Sequence, residues 1–223
     1  MSKTIITAVD ETDLDSFKKV IDSLDSDLCM LKIGSVSFNA FGHEAVFYAS
    51  KKGFDIFLDL KLHDIPNTVK KSIEGLKSLP ISMITLHTSG GIKMMQSAMD
   101  AVKGSKIKIF GVTALTSLSD DDTNQIYQRD ASSQVNAMLD LAEESGIDGV
   151  VCSPHELNLV SKRVGLLSIT PGIRLVNTDD DQSRVMTPKQ AIELGADYLV
   201  IGRPITASDD ISASLKEIYK SIQ

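Results

Sequence analysis

The sequence predicts an α/β protein, a single-domain (β/α)8 barrel over residues 1–223. Three observations predict it. Eight short runs rich in Val, Ile and Leu recur along the chain, as strands buried on both faces require. Longer amphipathic stretches separate them, the pattern of βα units. No low-complexity linker interrupts the series. An open doubly wound sheet is the alternative, weakened because no Gly-x-Gly-x-x-Gly follows the first run.

The first run, Thr4–Val9, ends at Asp10. In Leu14–Leu24, Leu14, Phe17, Val20, Ile21 and Leu24 share one helical face. The second run, Cys29–Ile33, carries Lys32 near its end. The third, Asp55–Leu60, leads into Lys61. Asp59 and Lys61 flank Leu60, so strand alternation sends both to one side and Leu60 to the layer beneath the helices. Asp64 follows where the chain turns into the next helix, and Pro66 suits a first helical turn. A reacting acid–base pair and a structural ion pair with a capping Asp are both compatible with this spacing. The fourth run, Met83–Leu86, is followed by His87, a type more often structural than chemical here. Gly90-Gly91 either approach a ligand or start a helix. His63 covers the barrel mouth, while His43 and His155 fall on surface helices.

Thr113 and Thr116 follow the fifth run, Ile107–Val112. A helix is expected over Ala131–Glu144, then strands at Gly149–Cys152 and Leu166–Ile169. The longest irregular stretch, Pro171–Ser183, carries Arg174 and Gln182 and is a candidate active-site loop. Thr187 is placed to cap the helical stretch to Leu194, with Pro188 at its first position. The eighth run, Tyr198–Ile201, enters Gly202-Arg203-Pro204. Glycine allows close backbone approach and arginine pairs with phosphate, at a position where such barrels often bind one. Charged residues from many strand ends thus gather on one rim.

Composition narrows the function classes. A net charge of −7 without a basic block argues against nucleic acid, although a phosphate pocket needs only local cations. Cys29 and Cys152 are expected to be buried free thiols, and no Cys-x-x-Cys pair suggests zinc. No apolar run is long enough to cross a membrane, and no signal peptide is visible. A cytoplasmic protein is expected.

The segment Asp59-Leu60-Lys61-Leu62-His63-Asp64-Ile65-Pro66-Asn67-Thr68 resembles the signature of the orotidine 5′-phosphate decarboxylase family. Matching positions continue in order. They are Asp10, Lys32 in Leu-Lys-Ile-Gly, Val112 to Ser117, Thr170 to Arg174, Asp181 to Val185, and Gly202 to Thr206. The resemblance implies conversion of orotidine 5′-phosphate to UMP in pyrimidine biosynthesis, without metal or organic cofactor. It implies that Lys61 protonates C6 and that Asp59 lies by the departing carboxylate. It further implies that Asp64, with Ile65 and Thr68 beside it, would enter the site from the second subunit of a homodimer. By the same resemblance Asp10 and Lys32 would meet the ribose, and Gln182, Gly202 and Arg203 would hold the phosphate beneath Arg174. Thr116 would bind the pyrimidine, with Ser119 as the alternative. The nearest rival is a magnesium-dependent sugar-phosphate enzyme of the same superfamily. It needs a metal-binding Glu near the end of strand two, where this chain has Leu31-Lys32-Ile33-Gly34. A lysine Schiff-base enzyme and a non-catalytic phosphate-binding protein are the other readings.

Overall fold

The computed structural model describes residues 3–175 and 186–223. The strands are β1 (Ile5–Val9), β2 (Cys29–Gly34), β3 (Ile56–Leu62), β4 (Met83–His87), β5 (Lys108–Val112), β6 (Gly149–Val151), β7 (Leu167–Thr170) and β8 (Tyr198–Ile201). They pair in chain order and in parallel, and β8 returns to β1 to close the barrel. The longer helices are α1 (Leu14–Asp22), α2 (Ser35–Phe41), α3 (His43–Lys51), α4 (Pro66–Leu76), α5 (Gly91–Val102), α6 (Asp120–Tyr127) and α7 (Ala131–Ser145). Then come α8 (Leu157–Val160), α9 (Pro188–Glu193), α10 (Arg203–Thr206) and α11 (Ile211–Ser221). The predicted barrel is therefore present. No helix among the described residues is long and apolar enough to cross a membrane.

Strand alternation divides the core into two layers. Ile5, Leu31, Ile33, Ile56, Leu58, Ile84 and Ile109 pack against the helices. The alternate residues Ile6, Ala8, Met30, Phe57, Met83, Phe110, Ile169 and Val200 fill the barrel. Phe110 is fully buried and meets Tyr198 edge-on at 6.3 Å. Continuing the same period toward the C-terminal rim changes the chemistry. Ala8 is followed by Asp10, Met30 by Lys32, Phe57 by Asp59, Met83 by Thr85 and Val200 by Gly202. An apolar plug thus becomes the floor of a polar cup.

Local signals explain most boundaries. Asp13 caps α1 by accepting the Ser16 N–H at 2.8 Å, and Phe17, Val20 and Ile21 form its buried face. Helix α1 ends at Asp22, two residues short of the expected Leu24, which still packs against the core. Thr187 caps α9 with Pro188 in its first turn, as expected. Gly90-Gly91 lead into α5, and a Cβ on Gly90 would collide with Met94. Cys29 and Cys152 are buried free thiols. Burial pushes Cys29 up to about 11 and Cys152 higher still, which removes both as thiolate nucleophiles.

Strand β3 departs from the expected pattern. It reaches Leu62 rather than Leu60, and its register against β4 shifts between Leu58 and Leu62. Leu58 pairs with Ile84 and Leu62 with Leu86, so the chain bulges around Asp59 to Lys61. Lys61 has φ 50°, in the left-handed region. For a residue other than glycine this costs about 1–3 kcal/mol.

Candidate active site

The rim surrounds a cavity of about 570 Å³. Ala8, Phe57, Val151 and Val200 provide its apolar lining. Asp10, Lys32, Asp59, Lys61, Thr116, Arg174, Gly202 and Arg203, all singled out from sequence, also line it. They come from the ends of β1, β2, β3 and β8 and the turns after β5 and β7. Gln182 lies outside the described residues.

Asp59 is the centre of the charged cluster. Its side chain is buried, and Oδ2 lies 2.7 Å from Lys61 Nζ and 3.5 Å from Lys32 Nζ. Lys32 Nζ also reaches Asp10 Oδ1 at 3.3 Å. Thr85 donates its hydroxyl to Asp59 Oδ1 at 2.8 Å and accepts the Lys61 backbone N–H at 2.9 Å. Burial pushes the Asp59 carboxyl up, but the charges of Lys32 and Lys61 and the hydrogen bonds from Lys61 and Thr85 outweigh it. The net direction is down, so Asp59 is an anion at neutral pH. Asp59 and Lys61 do stand side by side, but through the bulge rather than the clean alternation expected.

Gly34 makes room for the second lysine. A Cβ there would lie 2.8 Å from Lys32 Nζ and 3.1 Å from Asp10 Oδ1. At the other end, a Cβ on Gly202 would make only ordinary contact, 3.5 Å from the Ala8 Cβ. Gly202 lines the cavity here. Arg203 is exposed beside it, whereas Arg174 is buried, with Nη1 donating to the Ile173 carbonyl at 3.0 Å.

Several expected residues lie elsewhere. Asp64, Ile65 and Thr68 are exposed around the start of α4 and do not line the cavity of their own chain. Asp64 Oδ1 accepts the Ile65 N–H at 2.6 Å. Ile65, at 66% exposed, is a large apolar side chain facing solvent. Ser119 caps α6 in a reciprocal box with Asp122, while Thr116 lines the cavity. Thr113 is buried and donates to the Val151 carbonyl at 2.9 Å, a structural bond. His87 is half-buried, with its ring 5.3 Å from that of exposed His63. Burial and then the charges of His63 and Lys61 hold His87 below the usual imidazole value.

Sequence reasoning missed Glu11, Gly34 and Thr85. Glu11 lines the cavity, and its backbone N–H goes to buried Ser37 Oγ at 2.8 Å. Thr85 carried a usable signal, since it lies two residues before His87 and two after barrel-facing Met83.

A family model described as "Orotidine 5'-phosphate decarboxylase / HUMPS family" matches residues 3–218. The chain belongs to this family. Within the orotidine 5′-phosphate decarboxylase / HUMPS family, a similar curated protein is the orotidine 5′-phosphate decarboxylase of Wolbachia pipientis subsp. Culex pipiens (strain wPip). It is 45% identical over 221 residues, covering 98% of each chain. The orotidine 5′-phosphate decarboxylase of Shewanella sediminis (strain HAW-EB3) is 44% identical over 229 residues, covering 99% of this chain and 97% of that one. Among solved structures, the orotidine 5′-phosphate decarboxylase of Lactobacillus acidophilus superposes with a TM-score of 0.87 at 34% identity. That match covers 100% of both chains.

Proposed function

We propose that this chain is a carboxy-lyase that converts orotidine 5′-phosphate to UMP and carbon dioxide, with Lys61 as the proton donor. The observation that carries the chemistry is the ammonium of Lys61 held 2.7 Å from buried, ionised Asp59 at the mouth of the barrel. When the bond from C6 to the carboxylate breaks, its electron pair stays on C6 in an sp2 orbital with little resonance help. Carbon dioxide leaves, Lys61 Nζ gives a proton to that pair, and the neutral amine takes a proton back from solvent. A fixed ammonium stabilises the developing carbanion before it protonates it.

The rest of the cavity suits an anionic nucleotide. Lys32, Lys61, Arg174 and Arg203 give four cations against the three carboxylates Asp10, Glu11 and Asp59, although the chain as a whole carries −7. In this reading Asp10 and Lys32 meet the ribose hydroxyls, and Thr116 meets the pyrimidine edge. Gly202, Arg203 and Gln182 hold the phosphate, with Arg174 in the covering loop. Phosphate contacts remote from C6 supply binding energy that positions the reacting end. Asp59 Oδ2 already lies within 3.5 Å of two ammonium groups, so a divalent cation there would meet repulsion. In this reading the reaction runs without a metal.

The same reading makes the protein a homodimer of the pyrimidine pathway, working in the cytoplasm. Asp64 then reaches the partner's site, with Ile65 and Thr68 beside it. Their exposure, outside their own chain's cavity, supports this arrangement.

The test mixes purified protein with orotidine 5′-phosphate and follows the pyrimidine absorbance, then repeats the assay in heavy water. Turnover that survives exhaustive chelation, with deuterium at C6 of UMP, is the expected result. Absent turnover, or activity restored by magnesium alone, would favour the sugar-phosphate rival.

A further inference from the structure

The bulge in β3 poses a physical question: what keeps Lys61 in a left-handed backbone conformation with its ammonium on Asp59? The register shift takes Lys61 out of regular pairing with β4. Its N–H is donated to the hydroxyl of Thr85 instead. That hydroxyl has one proton, which goes to Asp59 Oδ1 at 2.8 Å. The other oxygen of the same carboxylate holds Lys61 Nζ at 2.7 Å. Lys61 is thus gripped at both ends, backbone and ammonium, by one closed circuit through Asp59 and Thr85.

Two other threonines near the rim, Thr88 and Thr113, do ordinary work. Thr88 donates to the Val112 carbonyl at 2.8 Å and Thr113 to the Val151 carbonyl at 2.9 Å. These bonds tie a side-chain hydroxyl to the main chain of a neighbouring strand and touch no charged group. Thr85 is fully buried and spends its donor on a carboxylate and its acceptor on the lysine backbone. Valine has nearly the same shape and suits a strand as well, so packing alone does not require a hydroxyl here.

We propose that Thr85 is a positioning residue for decarboxylation: its hydroxyl sets the bulge in β3 and fixes the Asp59 carboxylate so that the Lys61 ammonium stands at one place. It acts through Asp59 and Lys61. The inference rests on the reading of those two as the reacting pair. A displaced ammonium still attracts the nucleotide but meets C6 at the wrong distance and angle. The loss therefore falls on kcat and spares ground-state binding.

The test is a series of Thr85→Ser, Thr85→Val and Thr85→Ala in the full-length protein, with Lys61→Ala beside it. Each is assayed for kcat, KM and UMP affinity. Activity should follow the hydroxyl. Thr85→Ser should keep kcat within about threefold of wild type, while Thr85→Val and Thr85→Ala lose about 10–100-fold. UMP affinity should stay within about threefold throughout. If Thr85→Val does not fold, the Ser and Ala variants still differ by that one hydroxyl and decide the matter. Wild-type kcat in Thr85→Val or Thr85→Ala overturns the proposal. So does a Ser variant as slow as Ala, or UMP affinity falling in step with kcat. Full turnover by Lys61→Ala would instead overturn the assignment of the proton donor, whatever the Thr85 series shows.

Discussion

At the β3 end of the cavity the polar groups stand on paired strands, whereas at the β8 end they stand on a turn. Asp59, Lys61 and Thr85 come from β3 and β4 and are joined by hydrogen bonds of 2.7–2.9 Å. Gly202 and Arg203 come from the turn into α10, a helix of four residues, and Arg203 is exposed. At the first end one ammonium is tied to a buried carboxylate. The second presents an exposed charge. This division suits a reaction in which geometry matters at the breaking bond and attraction matters at the remote anion.

Kinetics can break or sharpen this contrast. Lys61→Ala should give the largest effect, a fall in kcat of about 10²–10⁴-fold with much of the UMP affinity retained. Comparable loss of UMP affinity would show that Lys61 serves binding rather than chemistry. Arg203→Ala should lower kcat/KM for the nucleotide by about 10–150-fold, the worth of a charge-assisted hydrogen bond. The phosphate-free nucleoside should hardly notice that change, and equal losses on both substrates would erase the distinction between the two ends.

Subunit mixing asks whether the β3 end is complete in one chain. Lys61→Ala and Asp64→Asn are each expected to be nearly inactive. After exchange in equal amounts, half of randomly paired dimers are mixed, and each mixed dimer holds one intact site. Activity should recover to about a quarter of wild type per site. No recovery after verified exchange would return Asp64 to its own chain.

The smallest effect concerns acid. Asp59 titrates lower in the fold than in the unfolded chain. Its stabilising contribution is complete above the unfolded value of about 3.9 and fades only as pH falls through the depressed folded value. The stability difference between wild type and Asp59→Asn should therefore be level from neutral pH to about 5. It should shift against wild type below about 4. A change already under way near pH 6, seen by denaturant melts, would mean that Asp59 is not held as an anion.

How far such features can be read without coordinates depends on their range. Apolar runs and their spacing are local, and all the barrel strands were legible from them. The closing pair β1 and β8 followed from fold class. Asp10, Lys32, Asp59, Lys61 and Arg203 were legible because a barrel puts strand ends on one rim. The bulge was not, since periodicity assumes an unbroken strand, and so β3 was ended two residues early. Short helices such as α2 and α6 lack the length for a clear amphipathic pattern. Thr85 looked like any strand threonine, because its meaning depends on a partner strand. Ile65 and Thr68 were marked by resemblance alone, and the position of Asp64 suggested only a carboxylate at a helix start. Nothing in their spacing separates a capped helix start from an arm toward a second subunit.

The seam between β1 and β8 has a consequence for how this protein comes into being. Ile5 pairs with Leu199 and Thr7 with Ile201, so the first and last strands made are neighbours. A nascent chain extruded through β7 already carries Asp59, Lys61 and Thr85. It lacks Gly202 and Arg203, and β1 and β7 still present open edges to other chains. Contacts between such distant segments form late, because the intervening chain must first be ordered. During synthesis the Asp59–Lys61 pair is therefore made before Gly202 and Arg203, and the ring can close only once β8 has been added.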